Sequence, residues 1–234
     1  MYTLLKPKLD KLNIKMGRDK LHKLLKENNL IIPKKKNYHT TTNSNHHFKK
    51  HPNLIEELEI KRPEQVWVSD ITYIKSESEN LYLSLVTDAY SKKIMGYNLA
   101  NNMRAEESVK ALKMALSNRT SNLPLIHHSD RGIQYCSNDY VDCLLENNIQ
   151  ISMTQNSDPY ENAIAERVNG ILKDEFEIAD GFVNHLQAIK EIKASISIYN
   201  NIRPHLSCEL MTPNKAHKLA NFKRRTWKKT YSKI

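Results

Sequence analysis

Two rhythms of apolar and polar positions run along the chain, and the change between them near Gln65 divides it. Before that point the spacing is helical: it predicts short helices over about 4–12 and 18–28, with Gly17 as the breaker between them. Leu21, Leu24 and Leu25 form the apolar stripe of the second helix, leaving Arg18, Lys20 and Lys23 pointing outward. Residues 33–52 show no periodicity and are rich in Lys, Thr and His, as expected of a linker. After Gln65 the pattern changes to that of β-strands. VWVSDITYI (66–74), LYLSLVTDA (81–89) and KKIMGYNLA (92–100) are short, β-branched or aromatic, and separated by turn-sized connections, which predicts an antiparallel meander.

A helix is predicted next over about 105–118, then a strand at 125–128, a helix near 138–147 and a strand near 149–153. Strands that follow helices require crossovers, so the sheet should be mixed and five-stranded. Asp158, Pro159 and Glu161 read as an N-cap, a first-turn proline and an acid at the third helical position, starting a helix that runs to about Phe176. At about 100° per residue, Ile164, Val168, Ile171 and Leu172 share one side of it, while Asn162, Glu166, Asn169 and Lys173 share the other. An amphipathic helix near 184–199 ends at Asn-Asn-Ile-Arg-Pro, and a last helix begins at Thr212-Pro213.

Charge sharpens this division. Residues 1–52 carry 13 Lys+Arg against 3 Asp+Glu, residues 53–202 carry 14 against 22, and residues 203–234 carry 9 against 1. Basic arms around an acidic middle suit a protein that grips a polyanion with its ends, with Arg203, Arg224 and Arg225 joining the N-terminal cations as candidate DNA contacts. No apolar run approaches the roughly 20 residues of a membrane span, and the first residues lack a secretory apolar core, so a cytoplasmic, nucleoid-associated protein is expected. Cys136, Cys143 and Cys208 have no metal-knuckle spacing and are expected to be reduced thiols. His47 and His51 have helical zinc spacing, but no further ligand lies near them in sequence.

Two acids sit where solubility would not put them. Asp70 interrupts an apolar strand, and Asp130 closes a short one just before Arg131-Gly132; a carboxylate in such a place needs a partner or a metal. Hard divalent cations take oxygen ligands, and two strand carboxylates with one from a facing helix, Glu166, would make an open site with room for phosphate oxygens. The surrounding motifs, W-V-S-D-I-T-Y, H-S-D-R-G-I-Q-Y and D-P-Y-E-N-A-I-A-E-R, occur in order, with 35 residues between Asp130 and Glu166 and Lys173 seven beyond. Y-N-N-I-R-P-H and M-T-P-N-K-A follow. From about Arg62 to Ala216 the chain resembles the DDE transposases of bacterial insertion sequences, in particular the second-reading-frame product of the insertion-sequence-three family, whose core is related to retroviral integrases.

The resemblance implies an α/β, ribonuclease-H-like core over 61–178, flanked by a basic helix-turn-helix-like segment (1–36), a linker (37–60) and a helical, basic C-terminal segment (179–234). It implies Asp70, Asp130 and Glu166 as catalytic metal ligands for two Mg²⁺ or Mn²⁺ ions, with Lys173 and Arg131 contacting DNA and Asn162 and Asp88 supporting the site from behind. Double-stranded DNA, other copies of the chain and an upstream-frame product are the implied partners. His127 and His128 precede Asp130 and read as structural histidines; Trp67 and Trp227 read as packing residues. Family members usually carry a longer helical N-terminal region, and the loop before Asp158 lacks their glycine. A different class of function, a catalytically silent DNA-binding remnant or regulator of the element, shares the basic arms and differs in needing none of the three acids.

Overall fold

A computed structural model describes residues 1–31, 46–155 and 162–219, in two compact units, Met1–Asn37 and Tyr38–Ile234. The first unit holds α1 (Tyr2–Lys11) and α2 (Arg18–Glu27). Of the predicted stripe only Leu21 is buried, and Leu24 is 46% exposed, because a two-helix unit this small has little surface to pack it against. Arg18, Lys20 and Lys23 are exposed; Arg18 pairs with Asp19 and Lys23 with Glu27.

In the second unit, β1 (Val66–Ile74), β2 (Leu81–Asp88) and β3 (Ile94–Ala100) form the expected meander, and β4 (Leu125–Ser129) and β5 (Ile149–Met153) extend the sheet in the order β3-β2-β1-β4-β5. β1 runs antiparallel to β2 and parallel to β4. The third strand starts two residues later than the alternation suggests, because Lys92 occupies the left-handed region (φ 65°) as part of the turn. Side chains alternate across β1: Trp67 and Ile71 join the core formed with α3 (Ala105–Ser117) and α5 (Asn138–Glu146), whereas Val66 and Val68 pack with Ala165 of α6 (Ala163–Glu175) on the other face. Farther along that face, Ile74, Leu83 and Leu85 meet Val168, Ile171 and Leu172 of α6 and Ile192, Ile196 and Tyr199 of α7 (His185–Asn201).

A four-residue helix, α4 (Ile133–Cys136), and a 3-10 turn at Leu206–Cys208 are too short to leave a periodic signal in sequence. The helix expected from Asp158 instead has Asn162 as its N-cap; Asp158, Pro159 and Glu161 lie outside the described residues, as do Arg224, Arg225 and Trp227. Within the stretch read as linker, residues 46–60 lie along the core: Phe48 packs on the α3/α5 side, Ile55, Leu58 and Ile60 on the α6 side, and the Leu54 N–H donates to Ser152 Oγ at 2.8 Å. Four scattered apolar residues bind it there without any regular spacing. All three cysteines are buried.

Tyr199 and Asn200 show what Y-N-N-I-R-P does structurally. Tyr199 Oη donates to Lys92 O at 2.8 Å, while the Asn200 side chain accepts from Ile94 N and donates to Ile94 O, both at 3.0 Å, so one amide satisfies both main-chain groups of the first residue of edge strand β3. Gly96 in the same strand is where α3 comes closest: a Cβ there would stand 2.1 Å from Ala111 O and 2.5 Å from Ala115 N. Since helix backbone cannot rotate away, Gly96→Ala is expected to destabilise the protein by about 3 kcal/mol or more. Chemical denaturation measures it; a loss under about 1 kcal/mol would show that the helix and strand separate easily.

The C-terminal helix α8 (Pro213–Lys218) is held by a buried acid pair. Glu64, in the left-handed region (φ 54°) and 1% exposed, accepts from Thr120 N, Thr120 Oγ1 and Ser121 N, and lies 3.2 Å from His217 Nε2. Asp88 accepts from Glu64 N, Ser91 N and Ser91 Oγ at 2.6–2.8 Å, and its carboxyl is 3.6 Å from His217 Nδ1. Burial would raise Glu64, but hydrogen bonds from His217, Thr120 and Ser121 outweigh it and bring the carboxyl down to about 2. Burial likewise opposes charging of His217, yet Asp88 and Glu64 raise it above its ordinary 6.5, against the charge of Lys93. His217 therefore contributes stability that is present below pH 6.5 and lost as pH rises through its folded value; Glu64 contributes stability present above pH 4.5 and lost as pH falls toward 2. Melting temperature is expected to decline above neutrality in the wild type and to lose that alkaline slope in His217→Gln, as a pH series of thermal melts would show.

Candidate active site

The parallel ladder between β1 and β4 has three rungs and ends at Val68 and His128, although both strands continue. Asp70 lies two residues past the last rung on β1, and Asp130 directly follows β4, so both acids border the place where the strands stop pairing. A crevice at the carboxyl end of a parallel strand, next to a reversal of strand direction, is where α/β sheets place ligands. By the alternation of β1, Asp70 projects toward α6.

Its two carboxylate oxygens are held separately: Oδ2 accepts from Asn169 Nδ2 at 2.8 Å and Oδ1 from the Ile71 N–H at 2.9 Å. Desolvation is the main influence on this group and the charge of Asp130 the next; with Glu166 adding to them, they overcome both hydrogen bonds and push Asp70 up to about 7. Asp130 Oδ1 accepts from the Gly132 N–H at 2.9 Å. A Cβ at Gly132 would come within 2.9 Å of that same oxygen and 3.2 Å of Gln134 Oε1, so a side chain there would displace the Asp130 carboxylate. Glu166, in the first turn of α6 and exposed, is also raised, by burial of its carboxyl and then by Asp130. The three acids thus feel one another. Among the described residues no three His, Cys, Asp or Glu side chains converge closely enough to hold one ion. The donor set is all carboxylate oxygen, as Mg²⁺ and Mn²⁺ require.

Lys173 is partly buried on the same side of α6; burial lowers its ammonium, opposed by the charges of Asp70 and Asp174. Asn162 is buried and donates from Nδ2 to Ser69 O at 3.0 Å, tying the start of α6 to the residue before Asp70. Arg131 is partly buried, with its carbonyl 2.9 Å from His46 Nε2 and its own Nε without a hydrogen-bond partner among the described residues. Two of the expected site residues are engaged elsewhere. Asp88 does not line this crevice, because it pairs across from Trp67 near the opposite end of β1 and serves the acid pair that holds α8. Arg203 forms a two-pronged ion pair with Glu175, so its guanidinium joins the C-terminal segment to the end of α6. Asn169 is the contact that the sequence did not single out: helical spacing put it on the face of Glu166, and only the packing of α6 on β1 aims it at Asp70.

With that geometry in place, comparison with known proteins gives the class. The chain matches the Integrase core domain family over residues 60–159 and a second model of the same description over 147–213. Retroviral integrase cores share the ribonuclease-H-like fold: a chain of the simian T-cell lymphotropic virus intasome in complex with PP2A regulatory subunit B56 gamma superposes with a TM-score of 0.59 at 18% identity, covering 81% of this chain and 66% of that one. The HTLV-2 integrase catalytic core domain, in complex with magnesium, does so at 0.54 and 20% identity, covering 67% and 97%.

Closer in sequence is the 31 kDa protein of insertion element IS600 from Shigella sonnei, 37% identical over 88% of this chain and 78% of its own length. The InsF transposase of insertion sequence IS3A from Escherichia coli is 34% identical over 69% and 57%, and the IS904 transposase of Lactococcus lactis is 32% identical over 69% and 65%. The chain thus spans less than two thirds of the length of those two named transposases. It belongs to the integrase-core family, among the DDE transposases of the insertion-sequence-three group, a class of polynucleotidyl transferases.

Proposed function

We propose that this chain carries out metal-dependent DNA strand cleavage and strand transfer for an insertion sequence, with Asp70, Asp130 and Glu166 as the reactive carboxylates. The observation that carries the reading is the placement of Asp70 and Asp130 at the end of the β1–β4 ladder, with the helix that bears Glu166 bonded to Asp70 through Asn169, in a member of this family. Asp70, Asp130 and Glu166 would hold two Mg²⁺ or Mn²⁺ ions, which when bound supply charge neutralisation at the phosphate and a nucleophile at neutral pH. Asn169 and the Ile71 N–H fix the direction of Asp70, and the Gly132 N–H fixes that of Asp130. Asn162 sets where α6, and so Glu166, begins relative to β1. Lys173 and Arg131 flank the acids with positive charge for the scissile strand, and the basic arms hold duplex DNA more widely. Copies of the chain bridge the two ends of the element.

The test is a joining assay. A labelled duplex bearing the terminal sequence of the element is incubated with supercoiled plasmid, the protein and Mn²⁺, and label covalently joined to plasmid is the expected product. Plasmid that stays unlabelled under conditions where the protein binds the duplex would favour the silent DNA-binding reading. Asn169→Ala gives a finer check. It leaves Asp70 Oδ2 without its donor and is expected to lower joining on the order of 10- to 100-fold at unchanged duplex affinity.

A further inference from the structure

On the sheet face opposite Asp70 lies a group of polar atoms that the chemistry above does not use. Ser69, His127 and Tyr140 are each no more than 1% exposed, and Ser69 Oγ and Tyr140 Oη stand 2.7 and 2.9 Å from the same nitrogen, His127 Nε2. The other ring nitrogen, Nδ1, is buried without a hydrogen-bond partner among the described residues, so the imidazole is held through Nε2. Burial pushes His127 down to about 3, which leaves it neutral. Three polar side chains inside an apolar layer are costly unless their geometry is well satisfied, and this layer could have been filled with leucines.

Their position gives them a use. The main-chain ladder between β1 and β4 ends at Val68 and His128. Ser69 is the next residue on β1 and the immediate neighbour of Asp70, while His127 precedes Asp130 by three on β4. The Ser69–His127 contact is therefore a side-chain rung placed just where main-chain rungs cease. Tyr140, from α5, closes it from behind, its ring packed edge-on against Tyr135 at 5.2 Å. On the main-chain side, Ser69 O accepts from Asn162 at the start of α6. One residue thus links the strands that bear Asp70 and Asp130 to the helix that bears Glu166.

We infer that Ser69, His127 and Tyr140 are positioning residues, a brace behind the sheet that sets the separation of β1 and β4 and with it the distance between the Asp70 and Asp130 carboxylates. Mg²⁺ accepts little departure from octahedral geometry at about 2.0–2.1 Å, so a site built on two strands that have stopped pairing needs a fixed gap between them. This inference rests on the metal reading of the site, and its test separates the two.

Mn²⁺ alone is titrated calorimetrically into the full chain in wild type, Asp70→Asn, Ser69→Ala, Tyr140→Phe, His127→Gln and His127→Leu, with each variant's unfolding midpoint measured beside it. Tyr140→Phe removes only the hydroxyl and keeps the ring packing; Ser69→Ala removes one oxygen. Each is expected to weaken Mn²⁺ binding on the order of 10-fold. The double variant should lose less than the product of the two, because both hydroxyls act through one nitrogen. His127→Gln, whose amide reaches the place of Nε2, should bind Mn²⁺ more tightly than His127→Leu. Lower unfolding midpoints with wild-type Mn²⁺ affinity in both Ser69→Ala and Tyr140→Phe would overturn the brace, reducing the group to core packing. Mn²⁺ binding unchanged in Asp70→Asn would overturn the metal reading and the brace with it.

Discussion

Glu166→Gln is expected to lower the rate of strand cleavage about 1,000-fold or more while leaving duplex affinity within a few-fold of wild type. The substitution keeps the size of the side chain and removes its charge. Glu166 is exposed in the first turn of α6, so nothing in the core depends on it. The negative charge it shares with Asp70 and Asp130 is what a divalent ion would answer, and loss of one carboxylate from three removes a ligand rather than a DNA contact. Affinity is expected to stay level or rise slightly, since one negative charge near the phosphates is gone. Single-turnover cleavage and fluorescence anisotropy on the same duplex separate the two quantities. Equal losses in both would mean that Glu166 contributes to binding and not to chemistry.

Duplex affinity is expected to fall about 10⁴-fold between about 50 and about 200 mM salt, a slope near −7 on logarithmic axes. The estimate takes about 8 cations from the arms, which carry 13 Lys+Arg over residues 1–52 and 9 over residues 203–234. Lys20 and Lys23 project from α2 into solvent, and replacing both with Ala is expected to make the slope shallower by about 2. A slope near zero would remove the arms from the account of DNA binding. It would leave the carboxylate site untouched, because Asp70, Asp130 and Glu166 lie outside the arms.

The parts legible in sequence are those whose side chains answer to local rules. The strands follow from short β-branched and aromatic runs bounded by turn residues, and the amphipathic helices from an apolar stripe on one side. Asp70 stood out because an ionised group inside an apolar run demands a partner wherever the strand ends up. Glu166 came from the resemblance carried by D-P-Y-E-N-A-I-A-E-R, with helical geometry adding that it shares a polar face with Lys173. Interactions set by tertiary packing were not legible. Asn169 looked like a surface residue until α6 lay on β1, and Asp88 looked like a neighbour of the site although its strand carries it to the far end, against Glu64 and His217. The end of the β1–β4 ladder has no local signature: both strands continue past its last rung. Residues 46–60 lacked periodicity because they are neither helix nor strand, yet a few apolar side chains suffice to hold them on the core.

The most direct measurement is the conversion of supercoiled plasmid to nicked circle by the full chain in Mn²⁺ and in EDTA, beside the Asp70→Asn variant. Nicking in Mn²⁺ that is absent in EDTA and absent in the variant is the expected result, tying cleavage to a metal held through Asp70. Nicking that persists in EDTA or in Asp70→Asn would contradict a three-carboxylate, metal-dependent site.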